Sequence, residues 1–401
     1  MPKNIVIFSD GTGQAGGLPG RTSTNVYRLF KACSVIPGEQ ETFYDPGLGS
    51  PPNGARLHHW RKIYNLVSRL TGLGISQNIA DCYDILISLY QPGDSIFLFG
   101  FSRGAYTVRS LGGLIALCGI PQLSTHGVDL RTNKRVRQRV VWRAIRWVYQ
   151  TYGCSEVKKR LRHERAQRFR RQHHSCEIAP YFVGVWDTVR ALGLPGVSRF
   201  VPWRHAFHDA ALNPQVLYAR HALSIDENRR VFVPDLWDET ELDRRSGRIK
   251  QIWFSGVHSD VGGGYHEREL ADIALSWIVA EATDIPRPLI VEKTTLQLNP
   301  SHRGMQHDER LGWGRLWWKG TRNRLHIDNF KSERHVILRL REATVPTVHG
   351  TMPYRPKLLA DYPEFQKYYD AIAAHHRSVR QRLRALLAPY LPKIHSGQNL
   401  G

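Results

Sequence analysis

A chain of 401 residues with 41% hydrophobic and 23% charged side chains can bury a large core, which excludes disorder as the default state and leaves room for one large α/β unit or two to three smaller ones. The formal charge of +21, from 56 Lys and Arg against 35 Asp and Glu, favours anionic partners, whether nucleic acid, acidic lipid headgroups or another protein, and says nothing about fold. Five scattered cysteines, Cys33, Cys82, Cys118, Cys154 and Cys176, form no C-x-x-C pair, which argues against a disulfide framework or a zinc site and fits a reducing compartment.

The N-terminal MPKNIVIFSDGTG has one Lys and an apolar stretch too short for a signal-peptide core. No uninterrupted apolar run approaches the ~20 residues of a membrane helix. The expectation is a cytoplasmic protein, unless a dedicated secretion machine exports it folded. Asn4 to Ser9 (NIVIFS) is a β-branched and aromatic run that ends at Asp10-Gly11, and it predicts a buried strand of a parallel sheet. After a Gly-rich loop, Thr24 to Ala32 predicts a short helix with Ser23 or Thr24 as cap. Thr42 to Tyr44 predicts a second strand, closed by the turn-rich DPGLGSPPNG. Ile75 to Tyr90 places Ile79, Cys82, Tyr83, Leu86 and Tyr90 at helical spacing. Pro92-Gly93-Asp94 stops that helix, Ser95 to Gly100 (SIFLFG) predicts another buried strand, and Arg103 to Cys118 a helix. Alternating strands and helices indicate a doubly wound α/β unit.

Residues 121 to 175 break the rhythm. Between Arg131 and Arg171 there are fifteen basic residues against two acidic ones, Glu156 and Glu164. Within this insert, Val140 to Tyr149 sets Trp142, Ile145 and Tyr149 on one helical stripe. Strand patterns return at Tyr181 to Trp186 (YFVGVW) and Gln251 to Val257 (QIWFSGV), and Leu270 to Ala282 predicts a helix. From Pro286 onward the pattern is mixed, with an amphipathic helix expected from Pro363 to Leu387. The division expected is an α/β domain over 1–290, carrying the basic helical insert, and a helical extension over 291–401 packed on the same domain.

Gly100-Phe101-Ser102-Arg103-Gly104 matches G-x-S-x-G, and it stands between a strand and a helix. In a nucleophile elbow that context holds the serine in a strained turn, exposes its hydroxyl at the sheet's carboxyl edge and leaves the next N–H at a helix N-terminus. A five-residue pattern alone arises often by chance; a serine in the strand-to-helix turn of another α/β protein is the bland alternative. A hydrolase serine needs an acid and a base, in this fold in the order Ser, Asp/Glu, His. Asp187 follows YFVGVW and His258 follows QIWFSGV, both at expected strand carboxyl ends. A helix cap and a structural histidine are the competing readings of these two. Asp260 is a rival acid whose other role is to cap the following turn, and His307 is a rival base. Gly11-Thr12-Gly13-Gln14-Ala15-Gly16 satisfies G-x-G-x-x-G, but Gly16-Gly17-Leu18-Pro19-Gly20 cannot open the helix that a dinucleotide site requires. In the hydrolase reading the same loop supplies a second oxyanion N–H, from Gly11 or Thr12, beside that of Arg103.

Taken together, SDGTG, GFSRGAYTVRSLGGLI, FVGVWDTV, HALSIDENRRVFVPDLW and WFSGVHSDVGGGY resemble a family of uncharacterised α/β-hydrolase domains that includes type VI secretion lipase effectors with phospholipase activity. The later SERHVILRL and MPYRPKLL are similar to that family's closing motifs. The resemblance implies an α/β-hydrolase-like fold, with a mostly parallel sheet and helices on both faces. It places the family's serine at Ser102, its Asp at Asp187 and its His at His258. The family's aromatic-Asp-Gly-Thr opening is Ser9-Asp10-Gly11-Thr12 here, which leaves the backbone role untouched. An ester or phospholipid substrate, a secretion-machine or immunity partner and a fold without metal or organic cofactor are the corresponding expectations.

The basic insert lies where such hydrolases carry lids. Its basic residues, interleaved with Trp142, Trp147 and Tyr149, suit an anionic membrane surface as well as a solvated helix pair with its tryptophans in the core. The competing function class is a basic nucleic-acid-binding or scaffold protein on a hydrolase fold, favoured by a pI near 10 but accompanied by no nucleic-acid motif.

Overall fold

The computed structural model describes residues 2–11, 22–33, 35–47, 73–149, 156–189, 212–230, 232–311, 319–320, 322 and 330–370. Thr12 with the rest of the Gly-rich loop, Cys154 and the expected C-terminal helix beyond residue 370 lie outside the described residues.

Six strands, β1 (Asn4–Ser9), β2 (Gln40–Asp45), β3 (Ser95–Phe101), β4 (Phe182–Trp186), β5 (Tyr218–Ser224) and β6 (Ile249–Phe254), form one sheet in the order β2-β1-β3-β4-β5-β6. Every pairing in it is parallel. The alternation of side chains along each strand sends them to two different cores. Ile5, Ile7, Ile96, Leu98, Val183 and Val185 fill an aliphatic face. Val6, Phe8, Phe97, Phe99, Phe182 and Trp186 fill an aromatic one, where Phe8 stacks on Phe99 at 5.3 Å and Phe97 on Phe182 at 5.9 Å. A sheet buried on both faces explains why its strands read as continuous apolar runs.

Helices cover both faces. On the aliphatic side lie α2 (Leu73–Leu89), α3 (Arg103–Cys118), α4 (Lys134–Arg143) and α5 (Glu156–Gln172). On the aromatic side lie α1 (Asn25–Ala32), capped by Thr24 Oγ1 accepting from Tyr27 N, and the later helix over Glu269–Thr283. Between α4 and α5, Ala144–Tyr149 forms a π-helical turn rather than a continuation of the expected α-helix. The insert is tied to the main body by side-chain bonds: Arg137 grips both oxygens of Asp84 on α2 in a buried pair at 2.9 and 3.1 Å, and Arg170 Nη1 donates to Leu117 O at 2.7 Å. Leu117 stands fifteen residues beyond Ser102, roughly 22 Å along α3 at 1.5 Å per residue.

β5 (YARHALS) lies between the two strands that the sequence pattern shows as neighbours. Its pattern is obscured by the buried Arg220 and His221, each satisfied by residues distant in sequence. Arg220 pairs with Glu281 at 2.5 Å, and His221 accepts from Thr188 N at 3.1 Å. The remaining described elements are α6 (Glu241–Ser246), α7 (His258–Gly262), α8 (Glu269–Thr283), α9 (Lys293–Leu296), α10 (Arg334–Arg341), an antiparallel hairpin of β7 (Val345–Thr347) and β8 (Gly350–Met352), a 3-10 turn over Lys357–Asp361, and residues 363–370, which are helical where the sequence predicts a helix to begin. Among the described residues the extension is thus only partly helical. It shares a hydrophobic cluster with Leu223 of β5, Ile225 just beyond it and Trp253 of β6, and Trp253 exchanges backbone bonds with Lys331 and Glu333 at 2.9 Å. Among the described residues, no helix is long and apolar enough to cross a membrane.

Candidate active site

β1 lies between β2 and β3, so the chain leaves the carboxyl ends of β1 and β3 toward opposite faces, the position where α/β sheets open a crevice. Ser102 stands there, between β3 and α3, with φ 57° and ψ −118°. Positive φ in a non-glycine residue costs about 1–3 kcal/mol and persists only where the surroundings impose it. The surroundings here are unusually close. A Cβ on Gly104 would lie 2.0 Å from Ser9 O, and one on Gly100 would lie 2.5 Å from Gly104 O. The two glycines of the motif therefore let α3 start against β1. Ser102 N donates to Trp186 O at 3.1 Å, which fixes the turn to the end of β4.

Asp187 follows directly. It is fully buried and also has positive φ, 40°. Its Oδ1 accepts from Ser224 N at 3.0 Å and from Arg322 Nη1 at 2.6 Å. Its Oδ2 accepts from Arg322 Nη2 at 2.9 Å and from His258 Nδ1 at 2.6 Å. Burial by itself would raise this carboxyl, but the Arg322 guanidinium and His258 outweigh it and hold Asp187 well below the usual carboxylate range. An ionised Asp187 fixes the proton of His258 on Nδ1 and leaves Nε2 as the free base nitrogen. The imidazole opens α7 and is packed between Phe101, at 4.6 Å between ring centroids, and Phe232, at 5.2 Å. Since Phe101 is the residue before Ser102, the ring stands beside the elbow. Ser102 Oγ makes no capping bond to α3 and, among the described residues, no hydrogen bond to His258. Such bonds are often long or absent before substrate is bound.

His221 braces this acid from behind. Burial first, then Arg109, pushes its imidazole down to about 3, so Nε2 is a steady acceptor for Thr188 N, the residue after Asp187.

The rival acid and base pair with each other. Asp260 Oδ1 lies 2.6 Å from His307 Nδ1, while Oδ2 accepts from Val257 N and His307 N, each at 3.0 Å. Asp260 therefore caps α7, the helix that carries His258, and His307 lies stacked on Tyr265 at 3.7 Å. Burial lowers His307, but its bonds to Asp260 and Glu267 prevail and raise it.

Arg103 is the first residue of α3, where the leading N–H groups have no partner within the helix. Gly11 N donates to its neighbour Asp10 Oδ1 at 2.7 Å, so it does not serve as an open oxyanion donor in this conformation. Asp10 is buried at the end of β1, where Thr24 Oγ1 and Tyr44 Oη donate to Oδ2 at 2.6 and 2.8 Å. Burial pushes its carboxyl up to about 7 against those three donors.

Several neighbours of the site were not legible from the residues. Ser224, Glu227 and Arg229 lie in the HALSIDENRR segment, whose charges gave a signal without a role. Glu227 accepts from His258 N at 3.3 Å, and it pairs with Arg229, which also pairs with Glu309 at 3.4 Å. Arg322 had no signal at all, being one of 56 basic residues. Among the described residues no cluster of three or more His, Cys, Asp or Glu side chains has the geometry of a metal site.

Residues 3–281 match the family described as "T6SS, Phospholipase effector Tle1-like, catalytic domain". An uncharacterized protein of Saccharomyces cerevisiae is 27% identical over 238 residues, which cover 57% of this chain and 32% of that protein. An uncharacterized protein from Pseudomonas aeruginosa, solved by crystallography, aligns with 17% identity and a TM-score of 0.39, over 75% of this chain and 49% of the solved one. The chain thus spans less than half the length of each.

Proposed function

The chain belongs to the family of Tle1-like phospholipase effector catalytic domains of type VI secretion, and on that premise we propose that it hydrolyses carboxylic esters of lipids through Ser102, His258 and Asp187. The observation that carries the reading is the strained Ser102 elbow standing beside a buried Asp187–His258 pair.

In this mechanism His258 Nε2 removes the Ser102 proton as Oγ attacks the ester carbonyl. Asp187 keeps the proton on Nδ1 and stabilises the imidazolium that forms. The charge on the tetrahedral oxygen meets the Arg103 N–H at the start of α3. A second N–H comes from the loop after β1, either Gly11 once it turns away from Asp10 or Thr12. Protonation by His258 releases the alcohol, and water, activated by the same base, then frees the acyl group and restores Ser102. The substrate class is a phospholipid acyl ester. The reading carries with it export by a secretion machine and an immunity partner that blocks the site.

Fluorophosphonate labelling of the purified protein, followed by mapping of the modified peptide, tests the assignment. Modification at Ser102, lost in His258→Gln, is the expected result. Modification elsewhere, or none while an ester is being cleaved, overturns it.

A further inference from the structure

Outside the catalytic region, the insert carries strongly unbalanced charge, with fifteen basic residues against two acidic ones between Arg131 and Arg171. A shallow groove of about 890 Å³ runs between α4, the π-turn and α5. Trp142 and Trp147 form its floor, half-buried and packed on the aliphatic core. Each indole face is covered by guanidinium groups: Arg146 lies 5.0 Å over Trp142, while Arg143, Arg165 and Arg168 lie 5.4, 5.7 and 5.9 Å over Trp147. The π-turn is the device that assembles them. Such turns are rare and recur at functional sites, and this one carries Arg146 and Trp147 directly after the α4 residues Trp142 and Arg143.

Arg135 and Arg139 extend the same wall, and among the described residues no carboxylate lines the groove. Among the described residues, Arg135, Arg139, Arg146 and Arg168 have no carboxylate partner. Like charges gathered in this way repel one another, and an anion with several oxygens relieves that repulsion. A guanidinium stacked on an indole still presents its N–H edge, which suits a phosphate oxygen.

We propose that this Arg–Trp groove is a docking site for the phosphate headgroups of an anionic phospholipid bilayer. The choice of a bilayer rests on the lipid-hydrolase reading and on two further features. The indole rings already carry guanidinium groups, which compete with nucleic-acid bases for stacking on them. On α5, Val157 and Leu161, one turn apart, are 77% and 38% exposed among Lys and Arg, which offers apolar anchors beside the charges. The insert is tied to the far end of α3 from Ser102, so docking and ester cleavage use separate parts of the molecule.

The test uses the full-length Ser102→Ala protein, which keeps vesicles intact, with and without the added substitutions Arg139→Gln, Arg143→Gln, Arg146→Gln and Arg168→Gln. Co-sedimentation is measured with vesicles of phosphatidylcholine alone and of phosphatidylcholine with phosphatidylglycerol. Binding to the anionic vesicles is expected, weakened roughly 600-fold by the four substitutions, since each basic residue near such a surface contributes about fivefold. The four substitutions in the Ser102-containing protein leave hydrolysis of a soluble short-chain ester unchanged, which also reports that the fold is intact. Equal binding to neutral and anionic vesicles, or equal binding with and without the four arginines, overturns the proposal. Retention on duplex DNA at salt concentrations that release the vesicles overturns it in favour of a nucleic-acid partner. Failure of the hydrolase reading would appear separately, as loss of Ser102 labelling with vesicle binding retained.

Discussion

Replacing Arg322 with Met tests the reading of the site most directly, because this residue lies far from Ser102 in sequence yet holds the acid. Its guanidinium contacts both oxygens of Asp187 at 2.6 and 2.9 Å, and the two side chains are 4% and 0% exposed. Removing one partner of a buried ion pair typically costs about 3–5 kcal/mol. Coulomb's law gives a similar figure, ~4 kcal/mol for charges about 4 Å apart at an effective dielectric of about 20. Ser224 N and His258 Nδ1 still bond the orphaned carboxylate, so the lower end applies, ~3 kcal/mol. The assay is urea unfolding at neutral pH followed by tryptophan fluorescence. The pH dependence has a defined sign: Asp187 is held below its unfolded value, so its contribution is present above about pH 4 and is lost as pH falls through the folded value. The deficit of Arg322→Met is therefore largest at neutral pH and narrows on acidification. In a double-mutant cycle with Asp187→Asn, the two losses should fall short of adding by ~2 kcal/mol, since no charge is left unpaired. A deficit within ~1 kcal/mol of zero at neutral pH, or strict additivity in the cycle, refutes the argument that Arg322 neutralises a buried Asp187.

Ser102→Ala should lower ester turnover by about a million-fold, as for other nucleophiles of this type, while Ser102→Gly should be inactive and more stable by ~1 kcal/mol because it relieves the positive φ. Steady-state rates and unfolding midpoints check the pair, and a Gly variant less stable than the parent contradicts the strain. Gly104→Ala places a methyl group where Ser9 O stands 2.0 Å away, so a loss of ~3 kcal/mol or more is expected with collapse of activity; thermal unfolding measures it. Asp226, whose Oδ2 accepts from Gly256 N and Tyr354 Oη, is pushed up to about 6 by burial. Native Asp226 binds more protons than the unfolded chain between about pH 4 and 6, so stability falls as pH rises through that window. Asp226→Asn keeps both acceptor bonds and carries no titration, so its gain of up to ~3 kcal/mol should be present at pH 8 and absent at pH 4. A gain independent of pH contradicts this. His307, raised by Asp260 and Glu267, contributes below about pH 6.5 and loses that contribution as pH rises through its folded value. The deficit of His307→Gln should accordingly be larger at pH 6 than at pH 9 in the same unfolding assay.

The reach of the sequence differed from element to element. NIVIFS, SIFLFG and YFVGVW are legible because a strand buried on both faces needs apolar residues at every position, and the helix from Arg103 to Cys118 falls on the span the pattern predicts. Local chemistry also made Ser102 stand out, since two glycines and a serine between strand and helix have few other uses. The same strand-end logic marked Asp187 and His258, and the structure brings those two within 2.6 Å. β5 was hidden because its apolar pattern is interrupted by Arg220 and His221, whose partners are supplied by other parts of the chain. Which of two acids serves which of two histidines could not be decided along the chain. Asp260 stands two residues from His258, yet its carboxylate turns to His307 and to the start of α7. The ionised state of Asp187 was equally out of reach, for it depends on Arg322, 135 residues further on. Short-range order could be read because burial and backbone geometry impose it residue by residue. The pairing of charges was decided only by the tertiary structure, because electrostatic energy depends on distance and burial, and neither follows from separation along the chain.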